Sequence, residues 1–221
     1  MPPIEATEVG VTLVIPAAPV LPDLYFWALQ ASFAGKGGTS GGAHIGLQWH
    51  TGHPDSTAVN WGGYASDGSI LDGSTSALAS AMANPHTRDY PWRPGIPYRL
   101  VISKDGERGE GWWKGSVIDL EQEIQTEVRS LFSPGDALVG LMVWTEAFCR
   151  CEAPPVAAIW SSPSAVAVDG AALRPEGVSL TYQSESSGGC ANTDSYELPH
   201  GLAQVTGVTR TNQAGAVLRW S

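Results

Sequence analysis

The chain has 221 residues, enough to bury a large core, with 43% hydrophobic residues and nine tryptophans. A net charge of −10, with only 15% charged residues and no basic cluster, excludes nucleic acid and anionic membrane as partners. Glycine (26) and proline (16) are abundant without reaching the disordered range.

The N-terminal stretch MPPIEATEVG carries two glutamates and no basic residue, and Pro16 and Pro19 interrupt the apolar run that follows. A secretion signal needs the opposite on both counts, so the chain as it stands is expected in the cytoplasm, or outside the cell if an export signal has been removed. No apolar run approaches a membrane span. Cys149, Cys151 and Cys190 are too few for a disulfide framework. Cys190 would bridge Cys149 or Cys151 in an exported chain; three reduced thiols is the reading the missing signal favours.

In chain order, Val11–Ile15 reads as an edge strand ended by Pro16. Tyr25–Phe33 is an aromatic strand, and Gly35–Gly42 a loop or wide hairpin. His44–His50 alternates strictly, with Ile45, Leu47 and Trp49 on one face and His44, Gly46, Gln48 and His50 on the other. Ala58–Tyr64 follows as a strand whose Gly62-Gly63 pair signals a bulge or a close backbone approach. Between Ala65 and Arg88 lies a polar loop in which Ser76–Ala83 is the best helical candidate. Tyr98–Lys104 and Gly111–Asp119 form a hairpin around Asp105-Gly106. The segment 121–131 continues that strand or forms a short helix. Ala137–Glu146 is the most apolar strand, with Val139, Leu141, Val143 and Thr145 facing the core and Leu138, Gly140, Met142, Trp144 and Glu146 facing away. Short strands at Val156–Trp160, Val166–Val168, Val178–Gln183, Val205–Arg210 and Ala216–Trp220 complete the pattern. The expectation is one all-β domain over residues 1–221, an antiparallel two-sheet β-sandwich of jelly-roll or concanavalin-like form.

The polar faces of these strands suggest a groove. Aromatic rings stack on flat ligands or sugar rings while amides and carboxylates fix orientation. The candidate ligand-binding residues are His44, Gln48, His50, Trp61, Trp113, Trp144 and Glu146, holding a glycan or a small neutral or cationic molecule. Trp27, Trp49 and Trp160 read as core. An enzyme (hydrolase, lyase or cyclase) using the same face would take Glu146 or His50 as general acid or base. The two strand acids a sandwich glycosidase needs are absent, with Asp119 and Glu127 the remaining partners for Glu146. A structural or homodimer-forming protein, its mixed face buried by a second copy, is the third alternative.

No cofactor is implied. His50, His53 and Asp55 lie in a Gly/Pro turn rather than on a helix, which argues against a metal there, and Asp67 and Asp72 are the residues that would bind Ca²⁺. Cys190 followed by His200 reads as a thiol in a turn held by Asn192 and Asp194 rather than as a nucleophile.

The strands YFWALQASF, GGAHIGLQWH, VNWGGY, PGIPYRLVISK, GWWKGSVID and LMVWTEAF, in this order, resemble a bacterial family of unknown function. Its marks here are Gly41, Gly42, Gly46 and Gln48, then Trp92, Gly95 and Tyr98, and finally Glu146 and Phe148. The resemblance covers Tyr25–Phe148 and implies a concanavalin-type β-sandwich of a kind often found with carbohydrate-active modules and commonly exported. It brings no catalytic signature.

Overall fold

The computed structural model describes residues 5–220. In chain order the strands are β1 (Ala6–Val14), β2 (Tyr25–Gly35), β3 (Gly38–Trp49), β4 (Thr57–Ala65), β5 (Thr87–Asp89), β6 (Pro97–Lys104), β7 (Trp112–Asp119) and β8 (Ile124–Phe132). They continue as β9 (Ala137–Ala147), β10 (Ala157–Ala167), β11 (Ala172–Leu173), β12 (Gly177–Ser179), β13 (Thr193–Leu198), β14 (Gly201–Thr206) and β15 (Val217–Arg219). No α-helix forms among the described residues, and so none long enough to cross a membrane.

The strands build an antiparallel β-sandwich, as the alternation requires. The first sheet runs β9-β2-β3-β4-β5 and the second β13-β14-β10-β1-β6-β7-β8, with β11 beside β10. The two meet at a single pair, Ala6 with Leu138, where the start of β1 touches β9. Beyond that pair β1 and β9 diverge, so the sandwich stays open along that edge. β12 and β15 form a small separate ribbon.

Between the sheets Trp27, Trp61, Trp113, Trp160, Ile45, Leu47, Leu100 and Val11 make the core. Gly115 on β7 has a role across this layer. A Cβ there would lie 2.5 Å from the Trp61 ring, so the absent side chain admits the indole of the opposite sheet.

Several expectations are corrected. Val11–Ile15 is not an edge strand, because β1 pairs with β6 on one side and β10 on the other. Gly35–Gly42 is not a wide loop, because Gly35 already pairs with Gly38 and only Lys36-Gly37 turn the chain. Ser76–Ala83 is irregular rather than helical, since this segment hydrogen-bonds sideways to β8: Ser74 N–H to Ser130 O and Ser76 Oγ to Val128 O. Residues 124–132 are strand, not helix. The segments Val156–Trp160 and Val166–Val168 belong to one strand, β10, whose register with β1 shifts between Gly10 and Thr12; Ser162 (φ 50°) sits in that irregularity. Leu138 faces the core rather than outward. Between Met142 and Val139 strand β9 carries one extra residue relative to β2, and Gly140 (φ 61°) absorbs it, which inverts the alternation below the bulge.

The C-terminal third is held by Asp194, 1% exposed. Its carboxylate accepts from Ser195 N–H (2.8 Å), Tyr182 O–H (3.0 Å), Thr211 N–H (2.6 Å) and Thr211 O–H (2.7 Å). Those donors hold the carboxyl well below its ordinary range, against the desolvation that raises it. The Arg210 guanidinium stacks on Tyr182 at 3.9 Å and donates to Cys190 O and Thr193 O. Cys190 is bonded to Cys151, which overturns the expectation of three reduced thiols and leaves Cys149 as the free cysteine. Sequence spacing could not select this pair, because the two positions stand 39 apart in the chain and only its return path brings them together.

Candidate functional site

The face of the first sheet that points away from the core is built by alternation alone. Its rows follow from strand register: Glu146, Phe26, Gln48 and Ala58 lie across one level, Trp144, Ala28, Gly46 and Asn60 across the next, and Met142, Gln30, His44 and Gly62 across the third. Small residues at the middle of the second row leave room for large ones around them. Gly46 admits the Phe26 ring, which would lie 2.7 Å from a Cβ at this position.

Three rings close over that floor edge to face. Phe26 lies 4.9 Å from Trp144 and 5.4 Å from His44, and His44 lies 5.5 Å from Trp144. Trp144 Nε1–H donates to Gln30 Oε1 at 3.1 Å, which fixes the indole. Burial, with the neighbouring His86 adding to it, holds the His44 imidazole down to about 4, so it is neutral at neutral pH. At the edge of the trio Glu146 is open to solvent on one side, yet desolvation raises its carboxyl above the ordinary range.

On the other side of His44 the face deepens into a pocket of about 110 Å³ lined by His44, Asn60, Gly62, Gly63, Tyr64, Asn84 and His86. His86 comes from the end of the 66–86 loop and lies flat on Gly62, where a Cβ would sit 2.6 Å from its ring. The expected close approach at Gly62 is therefore present, and the β3–β4 register runs through it without a bulge. Behind His86, Arg129 Nη2–H donates to its Nδ1 at 2.5 Å. Arg129 is itself 5% exposed and also donates to Trp61 O. Desolvation and the nearby Arg88 charge lower Arg129 to about 10, which leaves it charged at neutral pH.

Two acceptors on this face have no partner. Gln48 Oε1 and Asn60 Oδ1 are buried and unbonded, although their residues are only 6% and 7% exposed. Asn60 Nδ2–H donates to Thr87 Oγ1 at 2.9 Å, and Oδ1 is left over. Leaving a buried acceptor empty costs about 1–3 kcal/mol, and such groups in folded proteins ask for an explanation.

Of the residues singled out from sequence, His44, Gln48, Trp144 and Glu146 share this face. Trp61 and Trp113 do not. Both are 0% exposed in the inter-sheet core, because alternation in β4 puts Trp61 beside Val59, and Trp113 packs on Phe33 at 5.3 Å. His50 lies past the end of β3, its Nδ1 accepting from Gly52 N–H and its ring against His53, with no contact to the aromatic trio. His53 pairs with Asp89 at 2.6 Å as a buried brace of the turn. Asp67 accepts from Ser69 in a tight turn. Among the described residues no three His, Cys, Asp or Glu side chains converge on a metal position. Cys190 is bonded to Cys151, so it is not a nucleophile. Sequence reasoning missed Phe26, Gln30, Asn60, Asn84 and His86. Alternation in AVNWGGY could have placed Asn60 opposite Trp61, but nothing local marks His86.

A second, apolar cleft of about 300 Å³ opens where β1 and β9 diverge, lined by Val9, Val11, Leu29, Leu141, Val143 and Trp220 among others.

No family model matches the chain, and no curated protein matches it. Among solved structures it is similar to scytalido-glutamic peptidase with a peptide-based transition-state analogue, at 11% identity and TM-score 0.46, over 92% of this chain and 94% of that one. A second structure of scytalido-glutamic peptidase, with a transition-state analogue inhibitor, gives 10% identity and TM-score 0.42 over 91% and 96%. SCP-B, an eqolisin-family peptidase in complex with the tripeptide Ala-Ile-His, gives 10% identity and TM-score 0.44 over 92% and 94%. At these identities and superpositions the likeness carries no inference about what this chain does.

Proposed function

We propose that the outward face of the first sheet is a ligand-binding surface for a small neutral or cationic molecule or a glycan. The observation that carries this is the edge-to-face trio of Phe26, His44 and Trp144, its indole fixed by Gln30, standing on that face beside a pocket lined by His44, Asn60, Gly62 and His86. The trio supplies rigid apolar contact, and Glu146 supplies the one carboxylate at its rim.

The test is intrinsic tryptophan fluorescence against mono- and oligosaccharides, polyols, amides and small amines. Saturable quenching is expected in the native protein, weakened at least tenfold in Trp144→Ala and altered in amplitude in Trp144→Phe. A face that responds to no donor-bearing ligand in that panel refutes the proposal.

One observation favours a second reading, that the same face hydrolyses what it binds. A carboxyl raised by desolvation holds its proton to higher pH than an ordinary one, which suits a general acid, and Glu146 has that property at the rim of the trio. The variant Glu146→Gln separates the two readings. A hydrolase would lose turnover and keep affinity, whereas a binder would change only in affinity.

A further inference from the structure

Two residues of the pocket beside His44 have spent their acceptors on groups that can only donate. Arg129 is a donor only, so its bond to His86 Nδ1 makes that nitrogen the acceptor and puts the proton of the neutral imidazole on Nε2. The His86 backbone N–H is a donor only as well. It takes Asn84 Oδ1 at 2.9 Å, which leaves the Asn84 amide with its Nδ2–H₂ group unspent. Behind these donors stand two cations. Burial, then the charges of Arg129 and Arg88, hold the His86 imidazole below its ordinary value, so it is neutral at neutral pH. Among the described residues neither arginine forms an ion pair. Asp89, which feels the Arg88 charge, is bonded to His53 and to Ala81 N–H. Glu146 and Asp89, carboxylates of the same face, stand two rows away at the level of Gln48 and Ala58, and no carboxylate lines the pocket among the described residues. In a chain of net charge −10 this is a local reversal of sign, around a space of about 110 Å³ that has room for one functional group.

We propose that this pocket binds the carboxylate of an acidic sugar, its oxygens accepting from His86 Nε2–H and Asn84 Nδ2–H₂. The proposal rests on the reading of the outward face as a ligand-binding surface and narrows its glycan to one that carries a uronate. An ammonium group would set donors against donors, with the Arg129 charge behind them. A hydroxyl would accept from one donor and leave the positive field unanswered. A phosphate dianion calls for cations in direct contact, whereas here both arginines stand behind neutral groups. A carboxylate carries one charge on two acceptor oxygens, which suits paired neutral donors in a positive field. Asn60 takes no part, because its Oδ1 has no open surface and its Nδ2 is held by Thr87. Tyr64, 54% exposed at the pocket, and Trp144 across His44 are the rings that would meet the sugar itself.

The test is a ¹⁵N-resolved NMR titration of the intact protein at neutral pH with acetate, methylammonium and inorganic phosphate as single-group probes, followed by glucuronate against glucose. Acetate is expected to shift the Asn84 side-chain NH₂ pair and the Gly62, Gly63 and His86 amides saturably. Glucuronate should do so at least tenfold more tightly, while methylammonium and glucose leave those signals in place. Asn84→Asp keeps the acceptor for His86 N–H and sets a negative charge where the donor stood; Asn84 is exposed, so this variant is expected to fold. His86→Phe keeps a flat ring over Gly62 and removes the other donor. Each, with its urea midpoint measured alongside, should weaken glucuronate at least tenfold, and an unchanged affinity in Asn84→Asp overturns the carboxylate site. Methylammonium, glucose or phosphate moving the same signals as tightly as glucuronate also overturns it. Acetate binding that glucuronate does not exceed overturns the assignment to a sugar acid. All of these results leave the ligand-binding face standing. No shift from any probe overturns the carboxylate site, and the face falls with it only if the fluorescence panel is silent as well.

Discussion

Two polar regions of this molecule are buried to similar depth and treated in opposite ways. Around Asp194 both carboxylate oxygens accept from donors of Ser195, Tyr182, Thr211 and Asn212, with Arg210 stacked on the Tyr182 ring beside them. Around Gln48 and Asn60 the rings are fixed and Asn60 Nδ2–H is bonded to Thr87, yet the oxygens meet nothing. A satisfied network is explained by the stability it gives. An empty one contributes a cost, which the packing of this face has to outweigh, since neither oxygen has open surface to admit a partner.

The largest expected effect would break the comparison on its satisfied side. Asp194→Ala strips five donors of their acceptor and should destabilise the protein by about 3–4 kcal/mol, read as the urea midpoint, with the signals of residues 178–220 affected first. Asp194→Asn should cost less, because the shape and one acceptor survive. Next comes the bond between Cys151 and Cys190, which closes 39 residues and ties the segment before β13 to the end of the first sheet. Its removal by Cys151→Ser with Cys190→Ser should cost about 3 kcal/mol, read by thermal unfolding with and without reductant.

The pH dependence sharpens the comparison on the other side. The folded-state pKa of His44 is depressed to about 4 from an ordinary 6.5, so the unfolded chain takes up the proton first as pH falls. His44's contribution is intact above pH 6.5, declines between 6.5 and about 4, and is fully lost below that, a change of up to about 3 kcal/mol. His44→Phe should flatten that stretch of the stability-versus-pH curve. Asp194 also loses its contribution on acidification, but only below the ordinary carboxylate range, so the two regions separate on the pH axis.

The smallest effect has the opposite sign. Gln48→Leu removes an empty acceptor from a buried position with little change in volume and should stabilise the fold by about 1 kcal/mol, read as the urea midpoint. A loss of stability there would mean that Gln48 is structural after all and would dissolve the contrast.

Local alternation made much of this face legible. A period of two needs only the pleat, so His44, Gly46 and Gln48 on β3 and Met142, Trp144 and Glu146 on β9 could be grouped before any sheet was assembled. The same logic failed at Leu138, where one extra residue at the Gly140 bulge reversed the faces. It also failed at Trp113 and Trp61, whose burial depends on what the opposite sheet supplies. Trp61 is accommodated by Gly115, more than fifty residues away and unremarkable in its own strand.

The sequence by itself determined that the chain is an antiparallel β-sandwich and that one face of its longest strands is mixed rather than purely solvated, because both follow from side-chain period and turn chemistry within a few residues. Only the tertiary structure decided which groups complete that face. The 66–86 loop lays His86 on Gly62, β8 brings Arg129 behind it, and β5 takes the Asn60 amide, three contacts made across sequence separations that no local pattern encodes. The pairing of Cys151 with Cys190 was decided in the same way. Strand order, loop path and the direction of a hydrogen bond arise when distant segments pack, and the polarity of the pocket is set by those three together.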